Sequence, residues 1–183
     1  MRIAKFFVAL VALIFVVGSV NADNGIIPRP VEFERGNGVF TILTTTKITH
    51  YPSLRPSAEY LSEFIPLEIR EYNAEEKGNI VLMENKNLAS EGYTLDISGE
   101  RILIQGGSPA GVLYGIETLM QLLPASVYSH SMALPAMVGA CRVEDAPRFE
   151  YRGFMLDVTR TWMDLPMVKR FIDRLAHHKI NKL

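Results

Sequence analysis

The apolar residues change period between Tyr93 and Leu123, and no other feature of the chain constrains the fold as much. Tyr93, Leu95 and Ile97 alternate with polar residues, Ser98-Gly99-Glu100 turns the chain, and Arg101 to Gln105 returns. That is the pattern of a hairpin with one buried face. The period then becomes 3.6. Ser108 is placed to act as an N-cap, and Pro109 suits the first helical turn, where a missing N–H costs nothing. Val112, Leu113, Ile116, Leu119, Met120 and Leu123 mark the buried face of the helix, and Pro124 ends it. A hairpin feeding a capped helix calls for layered α/β packing.

The flanking segments extend the pattern. Val31-Glu32-Phe33-Glu34 alternates, Gly36-Asn37-Gly38 carries the Asn-Gly hairpin signal, Val39 to Leu43 reads as the return strand and Thr46 to Thr49 as a third. Ser57 to Tyr72 reads as a helix with Ala58, Leu61, Phe64, Ile65 and Ile69 on one face, kinked or shortened by Pro66. Ile80 to Met83 reads as a short buried strand, and a small α/β sandwich ends near Leu134 to Val143. Phe154 to Val158 predicts a new strand. Asp164 and Pro166 open a helix carrying Met167, Val168, Phe171, Ile172 and Leu175, and Ile180 to Leu183 begins another strand. Strand, helix, strand is the unit of a parallel sheet or a (β/α) barrel. The expected organisation is therefore a signal peptide over 1–22, an α/β domain over 23–146, and over 147–183 the first βα unit of a (β/α)8 TIM barrel that is cut short.

The first 22 residues have the three parts of a secretory signal: Arg2 and Lys5, the apolar run Phe6 to Val17, then Val20-Asn21-Ala22. The run is shorter than the ~20 residues that span a bilayer, so the mature protein is expected to be periplasmic or extracellular and free of the membrane. Without Arg2 and Lys5, 17 basic residues face 20 acidic ones, a net charge of −3 that offers no footprint for nucleic acid. Cys141 is the sole cysteine, so no intrachain disulfide and no cysteine-based metal site can form, and a buried inert thiol is expected. No cofactor and no metal is expected. His177 and His178 are adjacent on a helix and point about 100° apart, which suits the helix C-terminus better than an ion.

Gly106-Gly107-Ser108-Pro109-Ala110-Gly111 lies where a phosphate loop would, but Val112 and Leu113 occupy the positions of Lys and Ser/Thr. Tight packing at Gly111 and Gly115 is the expectation, in a helix whose Glu117 and Gln121 place it in a water-soluble pattern. The segment Arg148 to Arg160 is harder to explain by packing. Arg152, Asp157 and Arg160 flank a strand that otherwise reads as core, and buried charges are costly unless paired. Either a structural ion pair or a polar lining that grips sugar hydroxyls accounts for them.

Pro147, Arg148, Phe149, Arg152, Gly153, Leu156, Asp157 and Arg160 resemble the opening of the catalytic barrel in family 20 glycoside hydrolases, the β-N-acetylhexosaminidases. Upstream, Gly92-Tyr93-Thr94-Leu95, Ala110-Gly111, Leu113 to Leu119 and Gln121-Leu122 resemble the N-terminal α/β domain of the same family. The resemblance implies an exo-acting enzyme that removes terminal N-acetylglucosamine or N-acetylgalactosamine from glycans or chitooligosaccharides. In that family the 2-acetamido oxygen of the substrate attacks the anomeric carbon, helped by an Asp-Glu pair after the fourth barrel strand. That pair lies beyond this sequence, so the fragment alone is expected to be inactive. The resemblance assigns sugar binding to Arg152, with Asp157 and Arg160 as supporting residues, although barrel sites form at the C-terminal ends of strands and position alone favours the latter two. Thr161-Trp162 departs from the family's His-aromatic pair. A non-catalytic exported glycan-binding protein on the same fold, or another glycosidase sharing the N-terminal domain, are the alternatives.

Overall fold

The computed structural model describes residues 25–72 and 80–183; the apolar N-terminal run and the expected cleavage site lie outside them. Among the described residues seven strands form one sheet: β1 (Glu32–Ile42), β2 (Lys47–His50), β3 (Glu68–Glu71), β4 (Ile80–Glu84), β5 (Tyr93–Ile97), β6 (Ile102–Gly106) and β7 (Ala136–Asp145). Among the described residues three α-helices accompany them: α1 (Arg55–Phe64), α2 (Pro109–Leu122) and α3 (Leu165–His177). The strand order is β1-β7-β5-β6-β4-β2-β3. β1, β7, β5 and β6 pair antiparallel, whereas β6, β4, β2 and β3 pair parallel. This is the mixed α/β architecture read from the sequence.

The β5–β6 hairpin and α2 form as their periodicity requires. Ser108 Oγ accepts from the Ala110 N–H, and α2 packs on β4, β5 and β6 with α1 beside it. Ile48, Leu82, Leu95, Ile104 and Ile116 are completely excluded from solvent in this layer, each contributing about 1.5–3 kcal/mol of burial. Gly111 is one point of close approach. A Cβ there would sit 2.3 Å from the Gly92 carbonyl oxygen, so the glycine-rich turn is a packing device, as expected.

Three sequence expectations are corrected. Asn37-Gly38 does not turn a hairpin: β1 runs through it, pairing with β7 on both sides, and three residues (Gly36, Asn37, Gly38) stand opposite Ala140 alone. The positive φ of Gly38, +99°, that would have served a turn serves this bulge. The helix read over Ser57 to Tyr72 ends at Phe64; Glu68–Glu71 is instead a strand parallel to β2. Phe154 to Val158 forms no strand. A single parallel bridge, Gly153 to Lys182, marks where two strands begin. Helix α3 starts as expected, with Asp164 Oδ1 accepting from the Met167 N–H at 2.8 Å.

Candidate functional site

The three residues singled out by sequence fall at two separate places. Arg152 sits where residues 147–183 meet the α/β layer. Its backbone carbonyl accepts from Asn181 N (3.0 Å) and Lys182 N (3.2 Å), which starts the strand pair. All five guanidinium donors are spent inside the protein. Nε donates to Lys179 O (2.7 Å), Nη1 to Glu91 Oε2 (3.0 Å) and Phe149 O (2.6 Å), and Nη2 to Glu91 Oε1 (2.9 Å) and the Tyr114 hydroxyl (2.7 Å). The Glu91 contact is the bidentate fork that arginine makes best. Arg152 holds the Glu91 carboxyl down at about 2, with lesser help from Tyr114 and Asn181 and against the opposing effect of burial. The side chain is 14% exposed. It borders a cleft of about 640 Å³ with Arg29, Arg148 and Phe149, yet has no donor left for a ligand. In this structure the Arg152 side chain joins the two parts of the chain.

Asp157 and Arg160 lie in the turn that follows this first extended segment. Asp157 Oδ1 accepts from Thr159 N (2.9 Å), Thr159 Oγ1 (2.5 Å) and Arg160 N (3.2 Å), an Asx-type turn. The Thr159 hydroxyl, aided by the Thr159 and Arg160 amides, lowers the carboxyl pKa, so Asp157 stays ionised. Arg160 is 92% exposed, and its Nε lies 3.8 Å from Asp157 Oδ2, beyond hydrogen bonding. This turn therefore offers a guanidinium fork with unspent donors beside a fixed carboxylate. Trp162 and Met155 flank it, both exposed.

Sequence reasoning missed a second polar cluster behind Arg152. Lys179 is buried and donates from Nζ to Tyr93 Oη (2.8 Å) and Asp145 Oδ2 (3.0 Å). Burial lowers its pKa, opposed by Asp145. Glu117 is fully buried, accepts from the Tyr60 hydroxyl (2.6 Å), and meets His177 Nδ1 at 2.6 Å. Burial and the Glu117 charge push the Tyr60 hydroxyl pKa up. Glu117 falls four residues after Leu113 and three before Met120, on the apolar stripe of α2, so its helical spacing was the available signal. His177 is thus the structural partner of Glu117. Among the described residues no group of three or more His, Cys, Asp or Glu could hold a metal. Cys141 is buried, and burial pushes its thiol up to about 11.

Residues 23–146 match the family model "Glycosyl hydrolase family 20, domain 2", and residues 149–183 match "Glycosyl hydrolase family 20, catalytic domain". A beta-hexosaminidase of Porphyromonas gingivalis is 35% identical over 173 residues, covering 87% of this chain and 22% of that protein. The solved GH20 beta-N-acetylhexosaminidase of Streptomyces coelicolor A3(2) superposes with a TM-score of 0.81 at 34% identity, covering 87% of this chain and 34% of that one. A mutant Streptomyces plicatus beta-hexosaminidase in complex with its product GlcNAc gives a TM-score of 0.80 at 32% identity over the same shares. The chain spans at most about a third of the length of the curated relatives it matches here, 22% to 34% for those of Porphyromonas gingivalis, Vibrio furnissii and Cellulomonas fimi.

Proposed function

We propose, because this chain belongs to glycosyl hydrolase family 20, that it forms part of an exported exo-acting β-N-acetylhexosaminidase. The observation that carries this reading is the unbroken order of the two matches, domain 2 followed at once by the catalytic domain. The proposed substrate is a glycan or chitooligosaccharide ending in N-acetylglucosamine or N-acetylgalactosamine, and a relative of similar fold holding GlcNAc supports it. Hydrolysis would retain anomeric configuration through attack by the substrate's own acetamido oxygen. The Asp-Glu pair that assists it would lie beyond residue 183, in the remainder of a TIM barrel. Export rests on the charged, apolar and small-residue pattern of residues 1–22.

Among the residues present, the free fork of Arg160 and the ionised Asp157 are the groups proposed to grip sugar hydroxyls. They follow the first extended segment, at the end where barrel sites form. Arg152 is proposed to act behind them as their anchor. A protein that joins these residues to the rest of a family 20 catalytic domain should release p-nitrophenol from p-nitrophenyl N-acetyl-β-D-glucosaminide. Residues 23–183 alone should release none. Hydrolysis by the shorter chain, or silence of the longer one, overturns the reading.

A further inference from the structure

Among the described residues, two ion pairs and one carboxylate–imidazole hydrogen bond join the α/β layer to residues 147–183, and in all three the carboxylate lies on the layer. Glu91 meets Arg152, Glu117 meets His177, and Asp145 meets Lys179. Each carboxylate belongs to the α/β layer and each base to the following unit. The sequence carries the same bias. Residues 23–146 hold 16 Asp and Glu against 9 Lys and Arg, a net −7, while residues 147–183 hold 4 against 8, a net +4.

These groups are largely withdrawn from water, with side-chain exposures of 0% for Glu117, 4% for Lys179, 11% for Asp145 and 16% for His177. A docking pose that mismatched them would strand buried carboxylates, so the pairs select one pose strongly. Apolar burial supplies little competing selection, because no residue of α3 is buried and Phe154 and Met155 remain exposed.

The end of α3 gives a second, independent sign. Ile180 N–H donates to Leu175 O and Lys179 N–H to Ala176 O, the Schellman closure whose left-handed residue is ordinarily glycine. Here it is Lys179, with φ of +58°. A side chain in that conformation is strained, and it is retained where it carries the amine to Asp145 and Tyr93.

We propose that Glu91, Glu117 and Asp145 are positioning residues: a carboxylate triad on the α/β layer that orients the unit of residues 147–183 by receiving its three bases. Glu91 matters most for the sugar site. It grips Arg152, whose backbone opens the segment leading to Asp157 and Arg160. Only this last consequence rests on the proposed function.

Hydrogen exchange on the whole chain tests the proposal without reading hydrolysis. Glu91→Arg and Arg152→Glu, made singly, should each accelerate exchange of the Phe154 and Lys182 amides and of α3 by about tenfold or more, with β4, β5 and β6 unchanged. The double swap should recover most of the loss, which a role in bulk packing would not do. Glu91→Gln, which keeps shape and removes charge, should move exchange in the same direction as the reversals. The proposal is overturned if the single variants exchange like the unmodified chain, if the double is no better than either single, or if the sheet loosens equally. An enzyme that proved silent would defeat the proposed function and leave this result standing.

Discussion

Replacing Arg152 by alanine is the most revealing single perturbation of stability. The change removes five hydrogen bonds and leaves Glu91 with the Tyr114 hydroxyl and the Asn181 amide as partners. Glu91 is held at about 2 in the folded chain against an ordinary value of 4.5. That gap corresponds to about 3 kcal/mol at 1.36 kcal/mol per unit. Because 28% of the Glu91 side chain still meets water, the share expressed as stability is about 2 kcal/mol. The sign follows from linkage. A carboxyl depressed by folding stabilises above its unfolded value, and that stability drains as pH falls through the folded value. The deficit of Arg152→Ala should therefore be about 2 kcal/mol near neutrality and should shrink between roughly pH 5 and pH 2. Urea unfolding of both chains, followed by far-UV circular dichroism across this range, measures it. A deficit below about 0.5 kcal/mol at neutral pH, or one equally large at the acid end, refutes the reasoning.

Other consequences are more local. Lys179→Ala loses the Asp145 pair yet keeps a strained left-handed residue, so it should destabilise more than Lys179→Gly by about 1 kcal/mol in urea midpoints. Gly111→Ala drives a Cβ to 2.3 Å from the Gly92 oxygen and should cost more than about 2 kcal/mol, read as a fall in thermal midpoint. Cys141, buried with its thiol pushed up to about 11, should resist a disulfide reagent at mildly alkaline pH until denaturant is added. Asp157→Asn should loosen the turn that presents Arg160 while leaving the unfolding midpoint nearly unchanged, because the carboxylate is half exposed.

The legibility of this chain follows the range of the forces involved. β5, β6 and α2 were readable because alternation, Ser108 and Pro109 are local signals that tertiary packing reinforces. β3 was misread because Ile65 and Ile69 share helical spacing, and its parallel partner β2 lies about 20 residues upstream, where no local pattern points to it. Asn37-Gly38 was misread because its turn chemistry also suits a bulge, and only the strand opposite decides between them. At the site, the charges of Arg152, Asp157 and Arg160 stood out at once. Their division of labour did not, because Glu91 is 61 residues from Arg152 and Asp145 is 34 from Lys179. Glu117 passed for a solvated residue although its place on the apolar stripe of α2 was visible.

Arg152 is assigned to the interior contact and Arg160 to the substrate, and kinetics of Arg160→Gln in the proposed longer hydrolase tests that division most directly. The expected result is a fall in kcat/KM on p-nitrophenyl N-acetyl-β-D-glucosaminide of about a hundredfold or more, the cost of stranding substrate hydroxyls, with the urea midpoint unmoved. Wild-type kcat/KM in Arg160→Gln would contradict it.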